Sequence, residues 1–354
     1  MRTYTAVLGI LFCVTPGGAA QSYTPQKALL ALSKRDHTLA IVDPATLQVI
    51  ARAPVGPDPH EVIASSDGKM AYVSIYGGGR YHALSVVDLV SQKALTDIDT
   101  GALNGPHGLA FVGGKVWFTA EGAKAVARYD PATGSIDWIM GTGQNRTHMI
   151  YVTADEKQIY TTNVGSATLS ILQKVALPPL GTPPGVRPSP GAMPSPQQVA
   201  SQPRMDWNQT VIPVGKGDEG FDVSPDGREL WTANAQDGTL SIIDIATQRL
   251  TSTVDGKIFG ANRLKFTPDG KLVLISSLRS GDLVIYDGAS RKEFKRVNIG
   301  HGAAGILTDP DGTRAFVACS PDNYVTILDL KTLSVTRHLD VGGEPDGLAW
   351  AVRP

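Results

Sequence analysis

One stretch of the sequence decides the fold: Phe221-Asp-Val-Ser-Pro-Asp-Gly-Arg-Glu-Leu-Trp-Thr-Ala-Asn234. It joins two short apolar runs through an Asp-Gly pair, and glycine readily adopts the positive φ that a tight hairpin turn needs. Similar stretches recur about every 40 to 45 residues, a period typical of repeat architectures. Each repeat is therefore predicted to begin with a β-hairpin. The turns stand at Asp67-Gly68, Gly113-Gly114, Asp155-Glu156, Asp226-Gly227, Asp269-Gly270 and Asp311-Gly312.

Two further strands complete each repeat. The third strand is apolar and ends in an acidic residue, as in Leu240-Ser-Ile-Ile-Asp244. A short turn then leads to a fourth strand, which often closes with Val-Gly or Ile-Gly. Sets of second to fourth strands occur seven times, which predicts seven units. They end near Gly56, Gly101, Gly143, Gly215, Lys257, Gly300 and Gly342.

The two ends of the repeat region complement each other. The first unit begins at Leu29 with its second strand and lacks a first strand. After the seventh unit, Glu344-Pro-Asp-Gly-Leu-Ala-Trp350 supplies a lone first strand that matches Gly105-Pro-His-Gly-Leu-Ala-Phe111. A closed ring protects its sheet edges, whereas a linear array has no use for such a split. We therefore predict an all-β protein, a single seven-bladed β-propeller of four-stranded blades whose C-terminal strand completes the N-terminal blade.

The repeats resemble those of the YVTN-type β-propeller family, within the superfamily of lactonase-like and cytochrome d1-like propellers. The family motif survives in Tyr72-Val-Ser74, Tyr160-Thr-Thr-Asn163, Trp231-Thr-Ala-Asn234 and Ser241-Ile-Ile-Asp244. The resemblance covers essentially the whole chain after its first twenty residues and implies the propeller fold. It implies no single function, because similar propellers include lactonases, haem- and quinone-containing enzymes and binding scaffolds.

The first twenty residues have the pattern of a secretory signal peptide. Arg2 precedes a short apolar stretch, and small residues lead up to Ala20. We predict cleavage near Ala20, a propeller over residues 21–354 and a periplasmic or secreted location. No later segment has about 18 uninterrupted apolar residues, so we expect no transmembrane segment. The mature chain would keep one cysteine, Cys319, and would fold without an internal disulfide.

Charge and motifs exclude several classes of partner. The 354 residues include 32 Lys and Arg against 33 Asp and Glu, which leaves no basic surface of the kind that nucleic acids require. The sequence lacks a Cys-x-x-Cys-His motif, which excludes covalently attached c-type haem. We expect a monomer.

The repeat is interrupted once, between the third and fourth strands of the fourth unit. Residues 176–206 contain nine of the chain's 24 prolines, with Gly, Ser and Gln among the rest. Such a composition cannot build a core, so we predict an extended or disordered loop insertion. It could be a tolerated surface loop or a docking arm for a partner with an aromatic groove. We expect it on the face opposite the histidines described next.

One position at the start of the first strand carries polar residues in most units. Aligned on the turn, it holds His60, His107, His148, Glu219, Asn262, Ala304 and Asp346. Three of the chain's seven histidines thus occupy one repeat position in consecutive units. In the propeller architecture that the resemblance implies, this position opens onto the central funnel. Neighbouring loops and turns add Glu121, Arg146 and Arg263.

This ring of residues supports three interpretations. His60, His107, His148, Glu121, Arg146, Glu219, Arg263 and Asp346 could bind a small molecule or a protein partner, because imidazole and carboxylate groups supply polar contacts and acid–base chemistry. Alternatively, His60, His107 and His148 could hold a divalent metal such as zinc, copper or iron, in a hydrolase, lyase or oxidase. Thirdly, each histidine could serve only to hold a strand end. The residue pattern leaves the choice, the ligand and any enzymatic activity open.

Overall fold

The computed structural model describes residues 23–177 and 204–354. It contains seven antiparallel sheets, which we number as blades in chain order. Within these ranges the strands are β1 Lys27–Ser33, β2 Thr38–Asp43, β3 Gln48–Pro54, β4 Pro59–Ala64, β5 Met70–Ile75, β6 Ala83–Asp88, β7 Lys93–Ala94, β8 Ile98–Asp99, β9 Pro106–Val112, β10 Lys115–Ala120, β11 Ala125–Asp130, β12 Ser135–Gly141, β13 Thr147–Val152, β14 Gln158–Asn163, β15 Thr168–Leu177, β16 Arg204–Pro213, β17 Asp218–Val223, β18 Glu229–Asn234, β19 Thr239–Asp244, β20 Arg249–Asp255, β21 Ala261–Phe266, β22 Leu272–Ser277, β23 Asp282–Asp287, β24 Glu293–Asn298, β25 Ala303–Thr308, β26 Arg314–Cys319, β27 Tyr324–Asp329, β28 Ser334–Leu339 and β29 Pro345–Val352. Two 3-10 turns lie at Gly77–Gly79 and Ser320–Asp322.

The predicted ring closure is confirmed. Blade 1 has the strand order β29-β1-β2-β3, so the last strand of the chain is the innermost strand of the first blade. Leu29 pairs with Trp350 and Lys27 with Val352 in an antiparallel register. Blades 2 to 7 follow as β4–β8, β9–β12, β13–β16, β17–β20, β21–β24 and β25–β28. In blade 2 the outer position is divided between the two short strands β7 and β8, which both pair with β6.

The Asp-Gly hairpins form as the sequence predicts. In blade 5, Oδ1 of Asp226 accepts hydrogen bonds from Ser224 Oγ at 2.6 Å and from the backbone N–H of Arg228 at 3.1 Å. Gly227 follows with a φ of 70°, in the region that favours glycine. The carboxylate therefore holds the turn while the glycine completes it.

Apolar side chains between neighbouring sheets form the core. Trp231 of blade 5, for example, is fully buried against Phe266 of blade 6, with ring centroids 5.6 Å apart. Each blade thus buries both faces against its neighbours, which explains the nearly continuous apolar runs of the middle strands.

The interrupted blade has the longest strands. Strands β15 and β16 of blade 4 each span ten residues and stay paired out to Leu177 and Arg204. The limits predicted for the Pro-rich insertion, residues 176 and 206, therefore lie within this hairpin. Most of the insertion lies outside the described residues, as does the predicted signal peptide at 1–20.

Glycine lets the inner strands approach each other closely. A Cβ atom on Gly108 would lie 2.6 Å from the carbonyl oxygen of His148, and one on Gly347 would lie 2.4 Å from that of His60. Gly220 and Gly305 meet the next blade in the same way. This position, directly after the ring of polar residues, is therefore glycine in blades 1, 3, 5 and 7. Blades 2, 4 and 6 carry Glu61, Met149 and Arg263 instead.

Candidate functional site

The seven residues that share the repeat position line one cavity at one mouth of the central channel. The cavity has a volume of about 330 Å³. We call it the histidine cavity. Its remaining lining residues are Lys34, Tyr76, Arg146, Arg263, Leu278, Ser320 and Glu344. The structure therefore brings together seven of the eight predicted ligand-binding residues in this lining, and the eighth, Glu121, contacts two of them directly.

An ion pair lies at the boundary between the histidine cavity and a second cavity. Glu61 of blade 2 and Arg263 of blade 6 join through Oε1 and Nη2, although their blades are not neighbours, so the pair spans the channel. Arg263 also donates to Oδ1 of Asn262 at 3.2 Å. The second cavity, of about 380 Å³, lies on the far side, and both residues of the pair contribute to its wall. Because Arg263 lines both cavities, the pair marks the boundary between them.

His148 lies between two carboxylates. Its Nδ1 contacts Oε1 of Glu121 in a short hydrogen bond, and its Nε2 lies 2.9 Å from Oε2 of Glu219. The second contact is a close ion pair rather than an aligned hydrogen bond, because Nε2 has no partner that meets hydrogen-bond geometry. Burial by itself lowers the pKa of His148, but the two carboxylates outweigh it and raise that pKa to about 9. His148 is therefore an imidazolium at neutral pH.

Both carboxylates stay ionised for the same reason. Burial raises the pKa of each, but the contact with His148 more than compensates, so the pKa of Glu121 falls and that of Glu219 falls to about 2. Glu121 also accepts a hydrogen bond from the hydroxyl of Tyr76 at 2.5 Å. Arg146 reaches both carboxylates at 3.5 Å.

His107 is buried but lacks a hydrogen-bond partner at one nitrogen. Only 2% of its surface is exposed, and its Nδ1 is one of the few buried side-chain atoms, among the described residues, without a partner. Its ring lies 3.9 Å from that of His148, measured between centroids. Burial first, and then the charge on His148, lower the pKa of His107 well below its usual value. The two neighbouring rings, tilted by 35° to each other, therefore differ in charge: His148 is a cation and His107 is neutral.

His60 lies on the other side of His107, in a different environment. Its Nε2 is 2.9 Å from Nζ of Lys34 and 3.1 Å from Oδ1 of Asp58. Asp346 contacts this group at 3.5 Å from both Lys34 and His60 Nδ1. The hydrogen bond to His60 is the main cause that lowers the pKa of Asp58. This side of the cavity is more open to solvent than the side around His148.

Three of the predicted residues can meet at a metal ion, and they are not the three histidines. The ligand atoms of His107, Glu121 and His148 lie within 4.8 Å of one another, and all three residues are buried. In the described part of the chain this is the one group of histidine, cysteine and acidic residues that fits a metal in this way. His60 is absent from it.

Some site residues carried no sequence signal strong enough to select them. Asp58 precedes the repeat position and has a φ of 55°, which no repeat pattern marks. Glu61 could have been found, because it replaces the glycine that four other blades use at that position. The sequence pattern places its partner Arg263 on a turn, whereas the structure places Arg263 within β21, and the pattern gives no sign of the ion pair between them.

Cys319 takes no part in the site. It is fully buried in the core and free, and burial raises the pKa of its thiol to about 11. A thiol that stays protonated is a poor nucleophile and a poor metal ligand.

Across the residues that the structure describes, no helix is long and apolar enough to cross a membrane.

Comparisons with known proteins identify the fold. No family model and no curated protein sequence matches the chain. A provisionally named 6-phosphogluconolactonase from Bacteroides fragilis is similar in structure, with a TM-score of 0.68, 16% identity, and coverage of 93% of this chain and 99% of that one. Dihydro-haem d1 dehydrogenase NirN, solved in complex with DHE, has a TM-score of 0.60 and 14% identity over 95% of this chain and 77% of its own.

A third neighbour shares the fold. Hydrazine synthase from Kuenenia stuttgartiensis has a TM-score of 0.62 and 17% identity, and the match covers 82% of this chain and 88% of that one. Likeness at such low identity shows a shared fold and leaves function to the site. The chain is thus a seven-bladed β-propeller, with lactonase-like and cytochrome d1-like propellers among its structural neighbours, as its repeats imply.

Proposed function

We propose that the protein binds a small polar molecule in the histidine cavity. The observation that carries this proposal is the lining of the cavity, where seven inner strands converge and only Ala304 contributes no polar group at the shared position. A volume of about 330 Å³ lies at the lower end of the range for small-molecule sites. The histidines, Glu219, Arg146 and Asp346 would supply hydrogen bonds and charge.

A small molecule fits the cavity better than a protein partner does. The cavity has a volume of only about 330 Å³, so it admits little more than the tip of a protein loop. Charged groups of both signs line the wall, which favours a ligand with complementary polar groups on opposite sides. Titratable residues with strongly shifted pKa values, gathered in a cavity, are typical of functional sites.

The test blocks the cavity without removing any polar group. Ala304 lines the histidine cavity, whereas Leu307 on the same strand lines the cavity beyond the ion pair. A panel of lactones, amines and sugars is screened for increases in the melting temperature of the wild-type protein. We expect Ala304→Phe to abolish the increase and Leu307→Phe, the matched control, to retain it. A compound that stabilises all three proteins equally would contradict binding in the histidine cavity.

A second candidate function is metal-dependent catalysis on the bound molecule, as a hydrolase, lyase or oxidase. The grouping of His107, Glu121 and His148 favours it, because a metal there could polarise a carbonyl group or activate water beside the ligand. Once a ligand is known, its conversion is followed with a chelator and after metal is restored. Turnover that persists in the chelator would contradict this candidate.

Export from the cytoplasm is part of the proposal. The support is the charged, apolar and small-residue order of residues 1–20. The full chain, expressed in a host with a secretory pathway, should be recovered outside the cytoplasm with Gln21 as its first residue. Replacing Gly18 and Ala20 by arginine should block this cleavage, since signal peptidase sites need small residues there. An N-terminus that still begins at Met1 in the wild type would contradict export.

A further inference from the structure

We propose that the histidine cavity holds one divalent first-row transition-metal ion, bound by His107, Glu121 and His148, and that His60 is not a ligand. The inference deepens the proposed function and rests on it, because the ion would form part of the surface that the small molecule meets. It also revises the ligand set that the sequence pattern favours, three histidines at one repeat position.

The three ligands already lie near a common point. Their ligand atoms are within 4.8 Å of one another, whereas tetrahedral bonds of about 2.1 Å place ligand atoms about 3.4 Å apart. Side-chain rotation can supply the difference. His148 Nδ1 and Glu121 Oε1 already contact each other, so an ion would take the place of the proton between them. The two lone pairs that now share a proton would then both bind the ion.

Two of the ligands have partners that orient them. Tyr76 donates to the second oxygen of Glu121, and Glu219 lies 2.9 Å from the second nitrogen of His148. Ligating histidines commonly donate their other N–H to a carboxylate, which fixes the ring and strengthens it as a ligand. His148 Nε2, although close to Glu219, forms no aligned hydrogen bond, and His107 likewise has a buried Nδ1 with no hydrogen-bond partner. An unpaired buried nitrogen is unfavourable, and a metal bond would satisfy it.

Charge distinguishes the side around His148 from the side around His60. Glu121 and Glu219 together balance a dication once His148 is neutral. Arg146 opposes the ion, but 46% of its side chain is exposed, so it can turn toward solvent. His60 cannot serve in this way, because the ammonium group of Lys34 lies 2.9 Å from its Nε2 and would repel a cation.

The ligand types select the class of metal. Two imidazoles with one carboxylate suit Zn²⁺, Fe²⁺ and Co²⁺ and leave coordination positions open for a ligand. Mg²⁺ and Ca²⁺ prefer oxygen ligands throughout, so we expect neither to bind here at micromolar concentration.

The test uses the full chain, purified without a histidine tag and freed of metal with a chelator. Co²⁺ is titrated while its visible absorption is recorded, and Zn²⁺ binding is measured by calorimetry. We expect one ion per chain and an absorption spectrum typical of mixed nitrogen and oxygen ligands. His107→Ala, Glu121→Gln and His148→Ala should each weaken binding at least 100-fold. Urea unfolding of each metal-free variant shows whether it still folds.

The controls separate this site from adventitious binding. His60→Ala should keep wild-type affinity, and so should His82→Ala and His301→Ala, which remove exposed histidines paired with Asp99 and Asp322. A His60→Ala variant as weak as His107→Ala would overturn the ligand set. A wild type that binds no more Co²⁺ than the folded His107→Ala protein would overturn the site.

The two proposals can fail separately. If Ala304→Phe abolishes stabilisation by a compound while the wild type binds no metal, the cavity binds its ligand without an ion, and only the inference of a metal fails. If the metal binds as expected but no stabilising compound responds to Ala304→Phe, small-molecule binding in the cavity fails.

Discussion

The two sides of the histidine cavity come from the same repeat position and yet differ in chemistry. Around His148, the side chains of Glu121 and His148 itself are almost fully buried, with 3% and 4% exposed. Around His60, the side chain of Asp58 is 36% exposed and that of His60 is 16% exposed. Burial makes each unpaired charge costly on the first side, whereas water can replace a lost partner on the second. Equivalent positions in a repeat therefore need not be equivalent sites.

The largest expected difference is in stability. Glu121→Ala would leave His148 with one carboxylate and Tyr76 without an acceptor, so we expect a loss of about 3–5 kcal/mol in the free energy of unfolding. Asp58→Ala, on the open side, should cost less than about 1 kcal/mol. Urea unfolding of metal-free protein, followed by tryptophan fluorescence, measures both. Equal losses would mean that the two sides do not differ in effective burial.

Substitution of inner-strand glycines by alanine perturbs the backbone on each side of the cavity separately. Gly108→Ala pushes against the strand of His148, and Gly347→Ala against the strand of His60. Each should lower the free energy of unfolding by about 1–3 kcal/mol. Only Gly108→Ala should also weaken metal binding. Gly141, which has no atom within 4 Å of an added Cβ, is the control, and its alanine variant should be at least as stable as the wild type.

Orienting carboxylates give a smaller effect on metal affinity. Glu219→Gln keeps the shape of the side chain next to His148 but removes its charge, so we expect a 10- to 100-fold weaker affinity for Zn²⁺. Asp346→Asn, the corresponding change beside His60, should leave the affinity unchanged. Calorimetric titration of both variants measures their affinities for Zn²⁺. A similar loss of affinity in Asp346→Asn would argue for an ion between the two sides of the cavity.

The smallest effect is expected at Lys34. Its contacts with Asp58 and Asp346 are 3.5 Å long and its side chain is 25% exposed, so Lys34→Met should change the free energy of unfolding by less than about 1 kcal/mol. The change should shrink further in high salt, because exposed ion pairs are screened. A large, salt-independent loss would show that the open side is as tightly coupled as the buried one.

Much of the architecture could be read from the sequence, because its causes are local. The Asp-Gly turns recur at a fixed period, and the missing first strand at Leu29 matches the extra one before Trp350. The ring of polar residues follows from the same alignment. What the repeat could not show is which of them contact each other. Glu121 rather than His60 completes the possible ligand group with His107 and His148, because the Glu121 side chain, on the loop after β10, contacts His148, and no repeat pattern contains that contact.

The ion pair between Glu61 and Arg263 across the channel was harder still to predict from the sequence. Glu61 and Arg263 are 202 residues apart in the chain, and two blades lie between theirs on the shorter way round the ring, so only a closed ring of the right diameter lets their side chains meet. No local pattern contains that diameter. Once the inner strands are aligned, however, the replacement of glycine by Glu61 and by Arg263 indicates that these two positions have a special role.

The pairing of β29 with β1, which we call the seam of blade 1, has a consequence for the order of folding. Hairpins within blades 2 to 7 join residues close in sequence, whereas Leu29 and Trp350 pair across more than three hundred residues. Because loop closure over such a distance is slow, we expect the seam to form last and to be the first sheet to open. Substitutions that weaken the pairing of β29 with β1 should therefore accelerate unfolding while leaving the rate of folding almost unchanged.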